Sequence, residues 1–154
     1  MRIGTLLERA DNTARILETK YQDPVSLQRL KTTQDLQENA DSAFFDFYHW
    51  AALLRSVSAF EIYRQIYSDQ ITPQKAAELL IFNRQMPRSL RYCVGDLIPL
   101  LGEIRNQNSK EIERLIGKLQ ADLDYSDINE VFNIGLEEFT KQFLKRIKIG
   151  RAHV

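Results

Sequence analysis

The chain holds a single cysteine, Cys93, among its 154 residues, so no internal disulfide and no multi-cysteine zinc site can form within it. It has only six glycines and four prolines, and the glycines follow neither the GxGxxG nor the Walker spacing. That excludes a Gly-rich phosphate loop. It has no charge of one sign to spare: 21 Lys and Arg balance 21 Asp and Glu. The electrostatic footprint of a nucleic-acid binder is therefore missing, and no nucleic-acid partner is expected. Apolar runs fall short of the roughly 18 residues that a membrane span requires, so no membrane association is expected. Met1 leads into no signal-peptide pattern, and a cytoplasmic location is expected.

What is present is a soluble, globular balance: 44% hydrophobic and 27% charged residues. The apolar positions recur at helical spacing, and no Val/Ile/Thr-rich alternating run argues for a sheet. The pattern predicts an all-α fold, a bundle of about six helices. In the first helix Leu6, Ala10, Ala14, Leu17 and Tyr21 form one stripe, with Ile3 and Leu7 beside it. Gln22-Asp23-Pro24 ends that helix, because proline disfavours helix at the residue before it. Ser26 to Ser42 reads as a long connection or a short helix.

A second helix is predicted from Phe45 to Tyr67. Its apolar residues point in nearly every direction, which predicts a central position. A third starts at Thr72-Pro73, an N-cap followed by proline at the first helical position, and ends near Phe82. The fourth runs from Pro87 towards Asn106, with a kink or a division expected at Pro99. The fifth follows Asn108-Ser109. The sixth follows Ser126-Asp127 and carries Phe132, Leu136, Phe139, Phe143 and Ile147 on one face. Asp127 and Glu130 have capping-box spacing.

Both ends read as cut. The apolar stripe is under way by Ile3 with no cap before it. Residues 149–154, Ile-Gly-Arg-Ala-His-Val, break the last stripe and read as translated sequencing-adapter read-through. The expectation is a domain over 1–148 from a gene fragment; a natural polar tail is the alternative.

Chemistry-bearing residues are sparse. Asp46 and His49 are three apart, near the Glu-x-x-His spacing of di-iron bundles. Such a site needs a second pair, so no metal and no cofactor are expected. Cys93 sits among Leu90, Tyr92, Val94 and Leu97, which marks a buried structural thiol. A polar constellation is more informative. Glu8, Asp11, Asn12 and Arg15 face away from the first stripe. Arg55, Glu61 and Arg64 interrupt the aromatic second helix, and Arg88 and Arg91 open the fourth. Charges on a buried helix are costly unless paired. These residues are candidates to line one polar seam between helices, either as an Arg-rich ligand site or as an internal salt-bridge network.

Four blocks carry a family resemblance. They are Leu7-Glu8-Arg9-Ala10-Asp11-Asn12-Thr13-Ala14-Arg15 with Lys20-Tyr21, then Trp50 to Ser56 and Ser58 to Arg64, then Leu79 to Asn83, then Pro87 to Cys93. In this order they resemble the Alpha-E domain family, an all-helical bacterial group named for a Glu-Arg motif, and specifically its second half. The carry-over places the motif on Glu8 and Arg9 and its companions on Asp11, Asn12, Arg15, Arg55, Glu61, Arg64, Arg88 and Ser89. Asn83-Arg84-Gln85-Met86 departs from the family's more acidic stretch, and Pro99 is unexpected.

The resemblance implies gene neighbourhoods with an atypical ATP-grasp ligase and a transglutaminase-like peptidase, which make and trim peptide or amide-linked products. Three readings follow. One is an accessory domain that binds the ligase, a small peptide or an amino acid, and that packs against its own first half. Another is a structural module whose seam is a salt-bridge network. The third is an enzyme with Glu8 or Glu61 as acid/base. The catalytic residues stay unassigned.

Overall fold

The computed structural model describes residues 2–21, 48–68, 70–103 and 109–153. No strand occurs among the described residues, as the helical periodicity predicts. They form eight helical segments: α1 (Arg2–Tyr21), α2 (48–56), α3 (Phe60–Tyr67), α4 (Pro73–Phe82), α5 (Leu90–Glu103), α6 (Ser109–Tyr125), α7 (Ile128–Ile134) and α8 (Leu136–His153).

The four long helices close a ring. α1 packs on α5 and α8, α5 packs on α6, and α6 packs on α8. Each therefore buries one stripe towards a common centre, the arrangement of a four-helix bundle. On α1 the predicted stripe is the buried one: Ile3, Leu6, Leu7, Ala10, Ala14 and Leu17 all lie in the core. Ala10 and Ala14 are small, which lets the neighbouring helices come close to the α1 backbone. Leu97 and Leu101 of α5, Ile116 and Leu123 of α6, and Phe143 and Ile147 of α8 fill the centre. α4 contacts α5, α6 and α7, and α3 contacts α4.

The predicted caps form. Thr72 Oγ1 accepts from the Lys75 N–H at 3.2 Å, with Pro73 at the first helical position. Asp127 Oδ1 accepts from the Glu130 N–H at 2.9 Å. Each side chain satisfies an N-terminal amide that the helix itself leaves without a partner.

Two predicted helices are each divided, which raises the count from six to eight. The second breaks at residues 57–59, where Ser58 has a left-handed φ of 57°. The Ala59 N–H then bonds to the Leu54 carbonyl at 2.7 Å and a new helix starts at Phe60. This step rephases the pattern. Trp50, Leu53 and Leu54 are buried before it and Tyr63 after it, so apolar residues seem to point everywhere when one continuous helix is assumed. Ile66 is 49% exposed.

The sixth helix breaks at Gly135, with φ 104°. That conformation is costly for any residue with a Cβ. The turn separates α7, which reaches α4, from α8. By contrast α5 is not divided at Pro99. The ring is exposed, so the hydrogen bond that proline removes is lost on the solvent side. Residues 87–89 form a turn, and α5 starts at Leu90 rather than Pro87. α8 stays helical through residues 149–153, with Ile149 off the buried face and Gly150 on it. The readings of Ser26–Ser42, of Phe45 to Phe47 and of Asp46 lie outside the described residues.

Candidate functional site

Two sequence blocks far apart in the chain meet here. α1 brings Arg9 and Thr13, one turn apart on the same side of the helix. The second block is the turn between α4 and α5, residues 83–89. Thr13 is buried, and its hydroxyl donates to the Arg88 carbonyl at 2.8 Å. Arg9 Nη1 donates to the Pro87 carbonyl at 3.4 Å. The Cys93 thiol reaches the same carbonyl, with Sγ 3.4 Å away.

The turn is built by its own polar residues. Asn83 Oδ1 accepts from the N–H groups of Gln85 and Met86, both at 2.9 Å, an Asx-type turn. Ser89 is fully buried. Its hydroxyl donates to the Asn83 carbonyl and accepts from the Tyr92 N–H at 3.1 Å, so it is the N-cap of α5. Arg91, one turn inside α5 from Arg88, pairs with Asp124 of α6 at 2.9 Å and also donates to the Phe82 carbonyl at 3.4 Å. Thr13, Asn83 and Arg91 thus hold the site together, although none belongs to the ten residues carried over. Asn83 had a readable signal, its habit of bonding backbone amides two and three residues on. The contacts of Thr13 and Arg91 are tertiary and leave no local trace.

The ten candidate residues divide by position. Arg9 is half-buried against the turn and Ser89 is buried, and both bond backbone carbonyls. Glu8, Asn12, Arg15 and Arg88 are exposed, on α1 and on the turn against it. Asp11 pairs with Arg15 at 2.8 Å, which holds the Arg15 guanidinium above its ordinary pKa through hydrogen bonding and charge. Arg55, Glu61 and Arg64 are exposed on α2 and α3, so the expectation that they sit on a mostly buried helix is corrected. Arg55 lies off the buried Leu53 and Leu54 on α2, Glu61 and Arg64 lie off the buried Tyr63 on α3, and Arg55 stacks over the Phe60 ring at 4.5 Å. Among the described residues no group of three or more His, Cys, Asp or Glu is arranged to hold a metal.

Cys93 is buried, and desolvation pushes its thiol up to about 12; the nearby Arg9 charge acts weakly in the opposite direction. The folded state holds the thiol proton more tightly than the unfolded state, whose pKa is near 9.0. This contribution to stability is full below pH 9 and is lost between pH 9 and 12, at up to about 1.4 kcal/mol per pH unit. Correspondingly, an aromatic disulfide reagent at pH 8 is expected to label Cys93 only as fast as the protein opens. Stopped-flow labelling with and without denaturant checks this. Fast labelling of the native protein would show that the thiol is not enclosed.

None of the described helices is long and apolar enough to cross a membrane. No curated protein and no solved structure is matched by this chain. The sequence profile of the Alpha-E family, described as a predicted alpha-helical domain with a conserved ER motif, matches residues 1–151. That match spans nearly the whole chain, Glu8-Arg9 included, and the chain belongs to the Alpha-E family.

Proposed function

We propose that this Alpha-E chain is a cytoplasmic binding domain that works with an ATP-grasp ligase. It would hold the ligase itself or a small peptide or amino acid that the ligase joins. The observation that supports this is the division of labour around the motif. Arg9, Thr13 and Ser89 are engaged with backbone carbonyls and fix α1 against the 83–89 turn. Glu8, Asn12 and Arg88 are left exposed around that junction. An acid, an amide and a guanidinium on a rigid platform suit recognition of a polar backbone or an amino-acid headgroup.

The structural reading accounts for the inward residues but gives Glu8 and Arg88 no task. The enzyme reading has less support, because Glu8 and Glu61 stand open to solvent on α1 and α3. The test is co-purification of the full chain with the ATP-grasp ligase of its gene neighbourhood, together with calorimetry against amino acids and short peptides. Binding that depends on Glu8 and Arg88 supports the reading, and its absence in both assays removes it.

A further inference from the structure

The break at Gly135 has a second result. Where α7 turns into α8 against the end of α6, it leaves an open cleft of about 240 Å³. Its walls are apolar: Leu119 and Leu123 from α6, Val131 and Ile134 from α7, Phe139 and Phe143 from α8. Ile134 is 59% exposed at the mouth, and Tyr125, beside the lining residue Ser126, is 87% exposed. An open apolar cleft with large exposed side chains at its edge is the anatomy of a docking site for one anchoring side chain.

The rim indicates what that anchor carries with it. Arg146, the one basic residue in the lining, is neutralised by Asp122 at 2.5 Å. Glu130 remains as a further exposed carboxylate in the lining. Asp124 pairs with Arg91 and Glu137 with Lys141, neither of them in the lining, so Glu130 is the carboxylate that the cleft itself presents. A carboxylate beside an apolar floor complements a cation beside an apolar group.

We propose that this cleft docks a partner-protein segment that inserts one large apolar side chain and places a Lys or Arg against Glu130. It uses elements other than the α1 and 83–89 face, so it stands or falls separately from the function proposed above.

The test is an amide-shift NMR titration of the full chain with three capped pentapeptides: Gly-Lys-Phe-Lys-Gly, its charge-reversed form Gly-Glu-Phe-Glu-Gly, and Gly-Lys-Ala-Lys-Gly. The first should saturate and move the amides of residues 119–146. The Phe-to-Ala peptide should bind about tenfold more weakly, the loss expected for an unburied aromatic side chain. Glu130→Gln should weaken the first peptide about threefold, the size of an exposed ion pair. Ile134→Asp should abolish its binding. Equal binding of the charge-reversed peptide, shifts that map elsewhere, or no saturation by any peptide would overturn the proposal. Glu130→Gln keeps the fold in question out of the outcome should Ile134→Asp lose helicity.

Discussion

Tyr63→Ala is expected to cost about 3–5 kcal/mol, close to the whole stability of a small domain. Tyr63 is fully buried, and its ring lies 4.8 Å from that of Tyr67, tilted by 36°. Its hydroxyl also closes the loop between α3 and α4. It donates to the Gln70 carbonyl at 3.1 Å and accepts from the Thr72 N–H at 3.3 Å. Alanine would leave a large cavity and two backbone groups without partners. Tyr63→Phe keeps the ring and isolates the second effect, for which about 1–2 kcal/mol is expected. Denaturant unfolding of both variants, with the slope unchanged, separates the two. Equal losses would mean that the ring contributes little. The neighbouring Tyr67 hydroxyl donates to Glu78 at 2.9 Å, and burial first, then Glu78, raises its pKa above the ordinary value.

Ser89→Ala is expected to cost about 2–3 kcal/mol. The side chain is small, and nearly all of this comes from hydrogen bonding. Removing the hydroxyl uncaps α5 at the Tyr92 N–H and leaves the Asn83 carbonyl without its donor. Because Ser89 ends the turn whose Pro87 and Arg88 carbonyls receive Arg9 and Thr13, the loss should also loosen α1. Amide exchange in the middle of α1 should then quicken along with that of the first turn of α5. A variant that destabilises α5 alone would show that the motif helix is held by packing and not by the turn.

Much of this fold is legible in the sequence because it is local. The α1 stripe, the Thr72 cap with Pro73 and the Asp127 cap each follow from residues within one or two turns of one another. The two helix breaks are different. A single left-handed residue at Ser58 ends one helix and rephases the next, and serine does not advertise it. Gly135 offered a cue, but Leu136, Phe139 and Phe143 continue the apolar stripe of Phe132, and periodicity alone favours one long helix. Reading Phe45 to Tyr67 as one helix with apolar residues on every side is what makes Arg55, Glu61 and Arg64 look buried in the sequence.

The site was legible as blocks and not as a geometry. Arg9 to Pro87 spans 78 positions and Thr13 to Arg88 spans 75. Both acceptors are backbone carbonyls, which carry no side-chain signature. Residue type therefore marks the donors, Arg9 and Thr13, while the fold alone decides what they reach. The same fact separates the Glu-Arg pair: neighbours in sequence point about 100° apart on a helix, so Arg9 is half-buried against the 83–89 turn while Glu8 stays exposed.

The central claim is that the inward members of the motif build a platform and the outward members bind. One measurement tests it most directly: co-purification of the ATP-grasp ligase, with calorimetry against amino acids and short peptides, for the wild-type chain and for the Glu8→Gln/Arg88→Ala double variant. The account predicts a complex with the wild type, weakened at least about tenfold in the double variant, the scale for losing two polar contacts, with helicity and unfolding midpoint unchanged. Binding that is equal in both proteins, or a double variant that merely unfolds, would contradict it.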